Sequence, residues 1–297
     1  MAKNSNAFSH PGGKGKIHSH FMNFFPQEYY KKGVCELFGG AGTICLNYHW
    51  SSRVYNDLGS VYHIMNALVH FPKKLYTFSE SCWIDSIEFF NTAKTYMKEH
   101  EEQKEFTDEE KLKLGSYALY LKYFSFSGLG KNIKKHDEDS KKLTRSLNRL
   151  HKNCIRDNSL FKNLEVWNVD ALDYMERNID DTRFWFIDTP YVHEKDAGKG
   201  YSTYRTGGVV YEKEFTKEDQ KRMVRICCMR TEPTLICGYD NDIYKPLLSR
   251  GYRKHLVTTT VKYLGKKNKA DEYVWVNYPV KILGIEYKPI GVIANEE

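Results

Sequence analysis

The sequence lacks the cysteine spacing that marks disulfide-rich and zinc-binding proteins. Its seven cysteines are an odd number, and no two of them form a Cys-x-x-Cys pair. This pattern argues against a disulfide framework and against a zinc site, and it favours a reducing compartment. The eleven histidines show no ligand spacing either, so we predict no metal site.

Long apolar segments are also missing. No run of about 18 or more apolar residues, the length that suits a membrane-spanning helix, occurs in the chain. Residues 1–16 lack the apolar region of a secretory signal peptide. We therefore expect neither membrane insertion nor secretion, and a cytoplasmic location.

What the chain does have is length and a modest excess of positive charge. Its 297 residues suffice for one large domain, or for a domain with a substantial insertion. The 45 Lys and Arg residues exceed the 38 Asp and Glu residues, which gives a formal net charge of +7. That balance suits an anionic partner without identifying one.

Short apolar runs that end in polar or glycine clusters predict parallel strands. The runs are GVCELF (33–38), SRVYND (52–57), LEVWNVD (164–170), RFWFID (183–188) and TLICGY (234–239). Helix-length segments lie between most of them, and the one after residue 215 begins with a capping-box pattern formed by Thr216 and Asp219. We predict an α/β sheet with helices on both faces. An antiparallel hairpin is predicted from 254–264 and 271–280, with the loop GKKNKA (265–270) between them.

About a hundred residues separate the second run from the third, too many for an ordinary connection, so we predict an inserted subdomain there. Residues 131–156 of this segment carry nine Lys and Arg against three Asp and Glu. Leu143, Leu147, Leu150 and Cys154 recur at helical spacing, which predicts a basic amphipathic helix. Charge alone does not decide between a solvated helix and a nucleic-acid contact.

The stretch VCELFGGAGTI (34–44) predicts a strand that leads through a glycine-rich turn into a helix. Such turns let the backbone approach a ligand, and Asp57, 21 residues after Glu36, is placed to accept hydrogen bonds from ribose hydroxyls. The third small residue of a dinucleotide fingerprint is absent, and Glu36 would repel a pyrophosphate. These residues favour S-adenosyl-L-methionine over NAD.

The tetrad DTPY (188–191) follows the apolar run RFWFI, so the strand delivers Asp188 at its carboxyl end. Taken alone, Asp188 is equally compatible with a helix N-cap or a turn acid.

Together, HPGGKGK (10–16), ELFGGAG (36–42), YND (55–57), the long insertion, VDAL (169–172) and DTPY occur in one order. This order resembles that of the alpha-group DNA adenine N6-methyltransferases, the Dam-like class, over nearly the whole chain. The resemblance implies a Rossmann-like, S-adenosylmethionine-dependent methyltransferase sheet with an inserted, mainly helical target-recognition domain. It places the catalytic domain at 1–59 and 164–297, the insertion at 60–163, and double-stranded DNA as the substrate.

The resemblance also implies roles for individual residues. The cofactor would be bound by His10, Pro11, Gly12, Gly13, Lys14, Glu36, Phe38, Gly39, Gly40, Ala41, Gly42, Asp57, Asp170, Ala171 and Asp188. The catalytic tetrad would be Asp188, Thr189, Pro190 and Tyr191. In the insertion, DNA would be bound by Lys131, Lys134, Lys135, Lys141, Lys142, Arg145 and Arg149.

The tetrad departs from the usual D-P-P-Y because Thr189 stands in place of the first proline. Threonine supplies the main-chain carbonyl that the chemistry needs, but a less rigid turn. The resemblance predicts transfer of a methyl group to the N6 amine of a flipped adenine. Cytosine N4 methylation and a DNA-binding protein without catalysis remain as alternatives, with an NAD-linked oxidoreductase behind them. A monomer suffices for the reaction, and a cognate restriction endonuclease is left open as a partner.

Overall fold

The computed structural model describes residues 7–8, 14, 18–25, 27–125, 130, 132–133, 141–190, 215–264, 266–282 and 285–287. The strands are β1 (Val34–Glu36), β2 (Arg53–Asn56), β3 (Leu164–Trp167), β4 (Phe184–Ile187), β5 (Thr234–Gly238), β6 (Arg253–Leu264), β7 (Lys266–Val276), β8 (Val280–Ile282) and β9 (Ile285–Tyr287). The helices are α1 (His18–Phe21), α2 (Gln27–Tyr30), α3 (Thr43–Asn47), α4 (Ser60–His70), α5 (Pro72–Cys82), α6 (Ile87–Glu99), α7 (Asp108–Phe124), α8 (Lys141–His151), α9 (Ala171–Arg177), α10 (Lys217–Met229) and α11 (Lys245–Ser249).

Strands β1 to β7 form one sheet in the order β3-β2-β1-β4-β5-β7-β6, and β8 pairs with β9 separately. The five predicted strands are confirmed, and all of them are parallel. Strand β7 runs antiparallel between β5 and β6. The strand order reverses at β1 and β4, and the crevice outside such a switch point is where open α/β sheets bind ligands.

The apolar runs became strands because both faces of the sheet are buried. Side chains alternate along a strand, so Phe184 and Phe186 enter one core while Trp185 and Ile187 enter the other. Helices α4 to α8 pack in the first core, whereas α9, α10 and α11 pack in the second. The prediction of helices on both faces is confirmed.

The predicted hairpin is antiparallel, but its predicted loop is wrong. Residues 266–270 belong to β7, and the pairing of β6 with β7 continues to Leu264 opposite Lys266. Residue 265 lies outside the described residues. The polar composition of 265–270 suggested a loop, yet main-chain hydrogen bonds extend a two-stranded ladder without apolar side chains.

The long interval before β3 is helical in its described part, from α4 to α8, followed by a π-helical turn at Lys152–Arg156 and a 3-10 turn at Asn158–Phe161. Leu150 and Cys154 are fully buried, and Leu143 and Leu147 pack against the same core. The predicted amphipathic helix is therefore confirmed as α8. Within the described ranges, no helix is long and apolar enough to cross a membrane.

Candidate active site

The glycine-rich turn after β1 contains backbone conformations that residues other than glycine rarely adopt. Gly40 and Gly42 have φ angles of 50° and 68°, in the left-handed region. A Cβ on Gly39 would lie 2.2 Å from the Tyr55 ring. The Tyr55 hydroxyl donates to the Gly40 carbonyl over 2.7 Å, so a side chain of β2 holds the turn in place.

Glu36, the last residue of β1, binds the start of helix α3. Its carboxylate oxygens accept from the amides of Ile44 and Cys45 over 3.2 and 2.8 Å. The side chain is buried, and burial raises the pKa of Glu36 to about 7, although the two amide hydrogen bonds oppose the shift. These amides are the donors that a phosphate would need, so the turn suits a cofactor without a phosphate at that point.

Asp57 and its neighbour Asn56 tie the end of β2 to the loops beside it. Asp57 accepts from the amide of Gly40 over 2.6 Å and from its own neighbour, Leu58, over 2.7 Å. The buried Asn56 amide donates to the carbonyls of Leu37 and Val169 over 3.0 and 3.1 Å. Asn56 was missed in the sequence analysis; the only signal is its position between Tyr55 and Asp57.

Asp170 caps helix α9. Its Oδ1 accepts from the amide of Asp173 over 2.9 Å, which is the usual N-cap contact, and the side chain is exposed. Ala171 is buried in the first turn of α9. Because Val169 is hydrogen-bonded to Asn56 through both main-chain groups, the β3 loop lies beside the β1 and β2 loops.

Asp188 follows β4 and forms an ion pair with Lys14. The Lys14 Nζ lies 2.7 and 2.6 Å from the two Asp188 oxygens, with exposed side-chain fractions of 6% and 15% for Lys14 and Asp188. Burial lowers the pKa of the Lys14 ammonium, but the charge and hydrogen bond of Asp188, together with the nearby Cys237 and Glu272, outweigh it, so the net shift is upward. Residue 14 of the N-terminal motif and residue 188 of the tetrad are thus brought together at the switch point.

Thr189 and Pro190 are bound by Gln220, on the first turns of α10. The Gln220 Nε2 donates to the Thr189 hydroxyl over 2.7 Å and to the Pro190 carbonyl over 2.8 Å. The sequence analysis missed Gln220. A signal exists, because Gln220 shares the apolar face of α10 with Met223 and Val224 at helical spacing.

Other predicted residues contribute less to this geometry. Phe38 is half-buried and packs edge-to-face on Phe215, with ring centroids 5.3 Å apart. Ala41 is buried in the glycine turn. His10, Pro11, Gly12, Gly13, Tyr191, Lys131, Lys134 and Lys135 lie outside the described residues.

The predicted DNA-binding residues on α8 are of two kinds. Lys141 and Arg145 are exposed. Lys142 donates to the Phe124 carbonyl over 3.2 Å and lies 4.6 Å from the centre of that ring, and Arg149 lies over the Tyr123 ring at 5.5 Å. The second kind also holds α8 against α7, because aliphatic stems and cations both interact with aromatic rings.

Comparison with known proteins gives one result on this site. Residues 10–260 match the protein family described as D12 class N6 adenine-specific DNA methyltransferase. The chain belongs to this family. As a D12 class methyltransferase it transfers a methyl group from S-adenosylmethionine to the N6 amine of adenine in DNA. The Dam-like resemblance is confirmed, and the family's adenine specificity decides against cytosine N4 and against an NAD-linked reaction.

Comparison with the curated proteins gave no match. In the described part of this methyltransferase, no three His, Cys, Asp or Glu side chains come together as a metal site.

Proposed function

We propose that Asp188 and the main-chain carbonyl of Thr189 hold the adenine amine during methyl transfer. The nitrogen of this amine is a poor nucleophile because its lone pair is conjugated with the ring. Two acceptors that bind its two hydrogens bring the nitrogen toward tetrahedral geometry and free the lone pair. The position of Asp188, directly after β4 and beside the glycine turn, carries the proposal.

S-adenosylmethionine supplies an electrophilic methyl group, because the methyl is attached to a positively charged sulfur. We propose that the glycine turn at 39–42 binds this cofactor, with Glu36 accepting from its amine, Asp57 from its ribose and Asp170 beside its adenine. Support comes from the hydrogen bonds that join the β1, β2 and β3 loops at one edge of the sheet. The Glu36 and Asp57 carboxylates are already hydrogen-bonded to amides, but each oxygen has a second lone pair.

Lys14 has a defined task in this proposal. Its ammonium contacts both Asp188 oxygens and fixes the orientation of the carboxylate. A carboxylate has about four lone-pair sites, so Asp188 accepts from the amine while it remains paired with Lys14. The carboxylate then stabilises the positive charge that develops on the amine before the surplus proton leaves.

We also propose that Tyr191, which lies outside the described residues, stacks on the adenine after the base leaves the duplex. The DNA would be held by the insertion at 60–163, with Lys141 and Arg145 directed to phosphates. The exposure of both side chains on one helix supports this. The remainder, 1–59 and 164–297, would form the catalytic domain.

A monomer is proposed because the cofactor turn, the tetrad and the basic helix belong to one chain. Seven free cysteines, five of them buried, suit the reducing environment of the cytoplasm. A cognate restriction endonuclease, if present, would cut the sequence that this protein methylates.

The test compares Asp188→Ala with the double variant Lys14→Met and Asp188→Ala. The single change leaves Lys14 buried without its partner, which should cost about 3 kcal/mol or more, and the second change should restore much of that loss. Labelled S-adenosylmethionine, unmethylated DNA and nucleoside mass spectrometry measure the product. Both variants should lose labelled N6-methyladenine by at least about a hundredfold, while the double variant still binds DNA. Normal methylation by Asp188→Ala would reject the mechanism.

A further inference from the structure

Two hydrogen bonds link Thr189 of the tetrad to the side chains of Gln220 and Tyr244. The Gln220 Nε2 donates to the Thr189 hydroxyl over 2.7 Å, and the Tyr244 hydroxyl donates to the Gln220 Oε1 over 3.3 Å. Gln220 therefore lies in the middle, with its amide nitrogen bound to Thr189 and its amide oxygen bound to Tyr244. Burial raises the pKa of Tyr244.

All three side chains are buried, so the loss of either hydrogen bond would be costly. Gln220 is fully buried, and Thr189 and Tyr244 are each 2% exposed. A buried polar group that loses its partner is destabilising by about 1–3 kcal/mol, so each member is strongly constrained to its place.

Further contacts fix Tyr244 and Gln220 in place. Tyr244 stacks on Trp275, with ring centroids 4.2 Å apart and planes 23° apart. Its hydroxyl lies so close to the end of β5 that a Cβ on Gly238 would meet it at 2.7 Å. Gln220 has a second bond, to the Pro190 carbonyl, and so binds two consecutive residues of the tetrad.

We propose that Gln220 and Tyr244 are positioning residues for methyl transfer, because they fix the turn at Thr189 that a proline ring would otherwise fix. The inference rests on the proposed role of the tetrad. Proline restricts its own φ and the residue before it, whereas threonine restricts neither to that degree. Here the Thr189 hydroxyl, which proline lacks, gives the Gln220 amide an acceptor, and Tyr244 holds that amide from its other side. The Thr189 carbonyl is thereby kept in position to bind the adenine amine together with Asp188.

The experiment measures single-turnover methylation, cofactor affinity and melting temperature for several variants. Thr189→Val removes the hydroxyl at nearly constant volume, and Gln220→Met removes both donors. Each should slow methyl transfer by about tenfold or more, since small misplacement of reacting groups is costly, while the Kd for S-adenosylmethionine changes less than about threefold. Thr189→Ser should recover most of the rate lost in Thr189→Val.

Non-additivity is the sharper readout. The double variant Thr189→Val and Gln220→Met should be little slower than either single variant, because both remove the same contact. Thr189→Pro should restore part of the rate in the Gln220→Met background, since the proline ring then fixes the turn.

The matched control is Thr234→Val, at the opposite end of β5. Thr234 is also fully buried, and its hydroxyl accepts from Arg230 over 3.0 Å, away from the tetrad. It should lower the melting temperature without slowing methyl transfer.

If Thr189→Val slows transfer no more than Thr234→Val, or if Thr189→Ser is as slow as Thr189→Val, the positioning role is rejected. If Gln220→Met does not fold, the valine and serine variants at 189 still decide. Activity in Asp188→Ala would instead reject the underlying mechanism.

Discussion

At the scale of residues, Glu36 and Gln220 are both polar side chains in largely apolar surroundings. Glu36 could be predicted as a site residue because it stands in a recognisable glycine-turn pattern. Its partners could not, since they lie eight and nine residues later and depend on the path of the turn. Gln220 has no motif around it, and its contacts with Thr189 and Pro190 exist only after α10 packs on the sheet.

The burial of Glu36 predicts a pH dependence of stability. Its pKa is raised from 4.5 to about 7, so the folded protein binds this proton more tightly than the unfolded chain. The stabilisation is complete below the unfolded pKa and is lost as the pH rises through the folded one. Between pH 5 and pH 8 the loss should be about 2 kcal/mol.

Urea unfolding of the wild type and of Glu36→Gln at pH 5 and pH 8 checks this prediction. The variant cannot titrate at this position, so its free energy of unfolding should fall less between the two pH values, by about 2 kcal/mol. Other titrating groups cancel in the comparison. Equal pH dependence in the two proteins would contradict the assignment of the shift to Glu36.

At the scale of elements, local signals were sufficient wherever the element is fixed by its own residues. The capping box of α10 was readable, and both of its reciprocal contacts are present between Thr216 and Asp219. The apolar spacing of α8 was readable for the same reason. The tip of the β6–β7 hairpin could not be predicted in this way, because the point at which strand pairing ends depends on both strands.

The capping box predicts a measurable contribution of Thr216. Thr216→Ala removes the side-chain acceptor for the Asp219 amide and should destabilise the protein by about 1 kcal/mol. The main-chain amide of Gln220 donates to the Thr216 carbonyl, so the first turn of α10 also positions Gln220. A modest loss of methylation rate should therefore accompany the loss of stability.

Thr92→Ala on α6 is the control for this change, because the exposed Thr92 hydroxyl only donates to the carbonyl of Glu88 within its own helix. It should change the free energy of unfolding by less than about 0.5 kcal/mol. Thermal or urea unfolding of the two variants separates the outcomes. A Thr216→Ala protein as stable as Thr92→Ala would show that α10 needs no cap.

At the scale of the whole molecule, the sequence predicted the sheet but not how the helices between β2 and β3 share a core with it. Leu75 of α5 and Phe90 of α6 belong to the same buried cluster as Phe184 and Phe186 of β4. Such packing joins segments far apart in the chain, and one-dimensional periodicity carries no information about it. The reversal of strand order at β1 and β4 likewise depends on pairing between segments far apart in the chain.

The proposed role of α8 in DNA binding predicts different contributions from arginines on α8 and α10, which pack on opposite faces of the sheet. Arg145→Ala on α8 should weaken DNA binding and reduce the slope of log K against log salt by about 0.9, the value for one phosphate contact. Arg225→Ala on α10 removes an equally exposed charge from the other face and is the control. Binding titrations over a range of salt concentrations measure both. Indistinguishable slopes for the two variants would remove α8 from the DNA-binding surface.

The central strand β1 also has a consequence for the time course of synthesis. One edge of β1 pairs with β2, where Cys35 lies opposite Val54, but the other edge pairs with β4, where Cys35 lies opposite Trp185. A growing chain can therefore complete the first pairing early, whereas the second has to wait until helices α4 to α8 and strand β3 have left the ribosome. During that interval the nascent sheet presents an open edge at its own centre, and these helices must form without covering it.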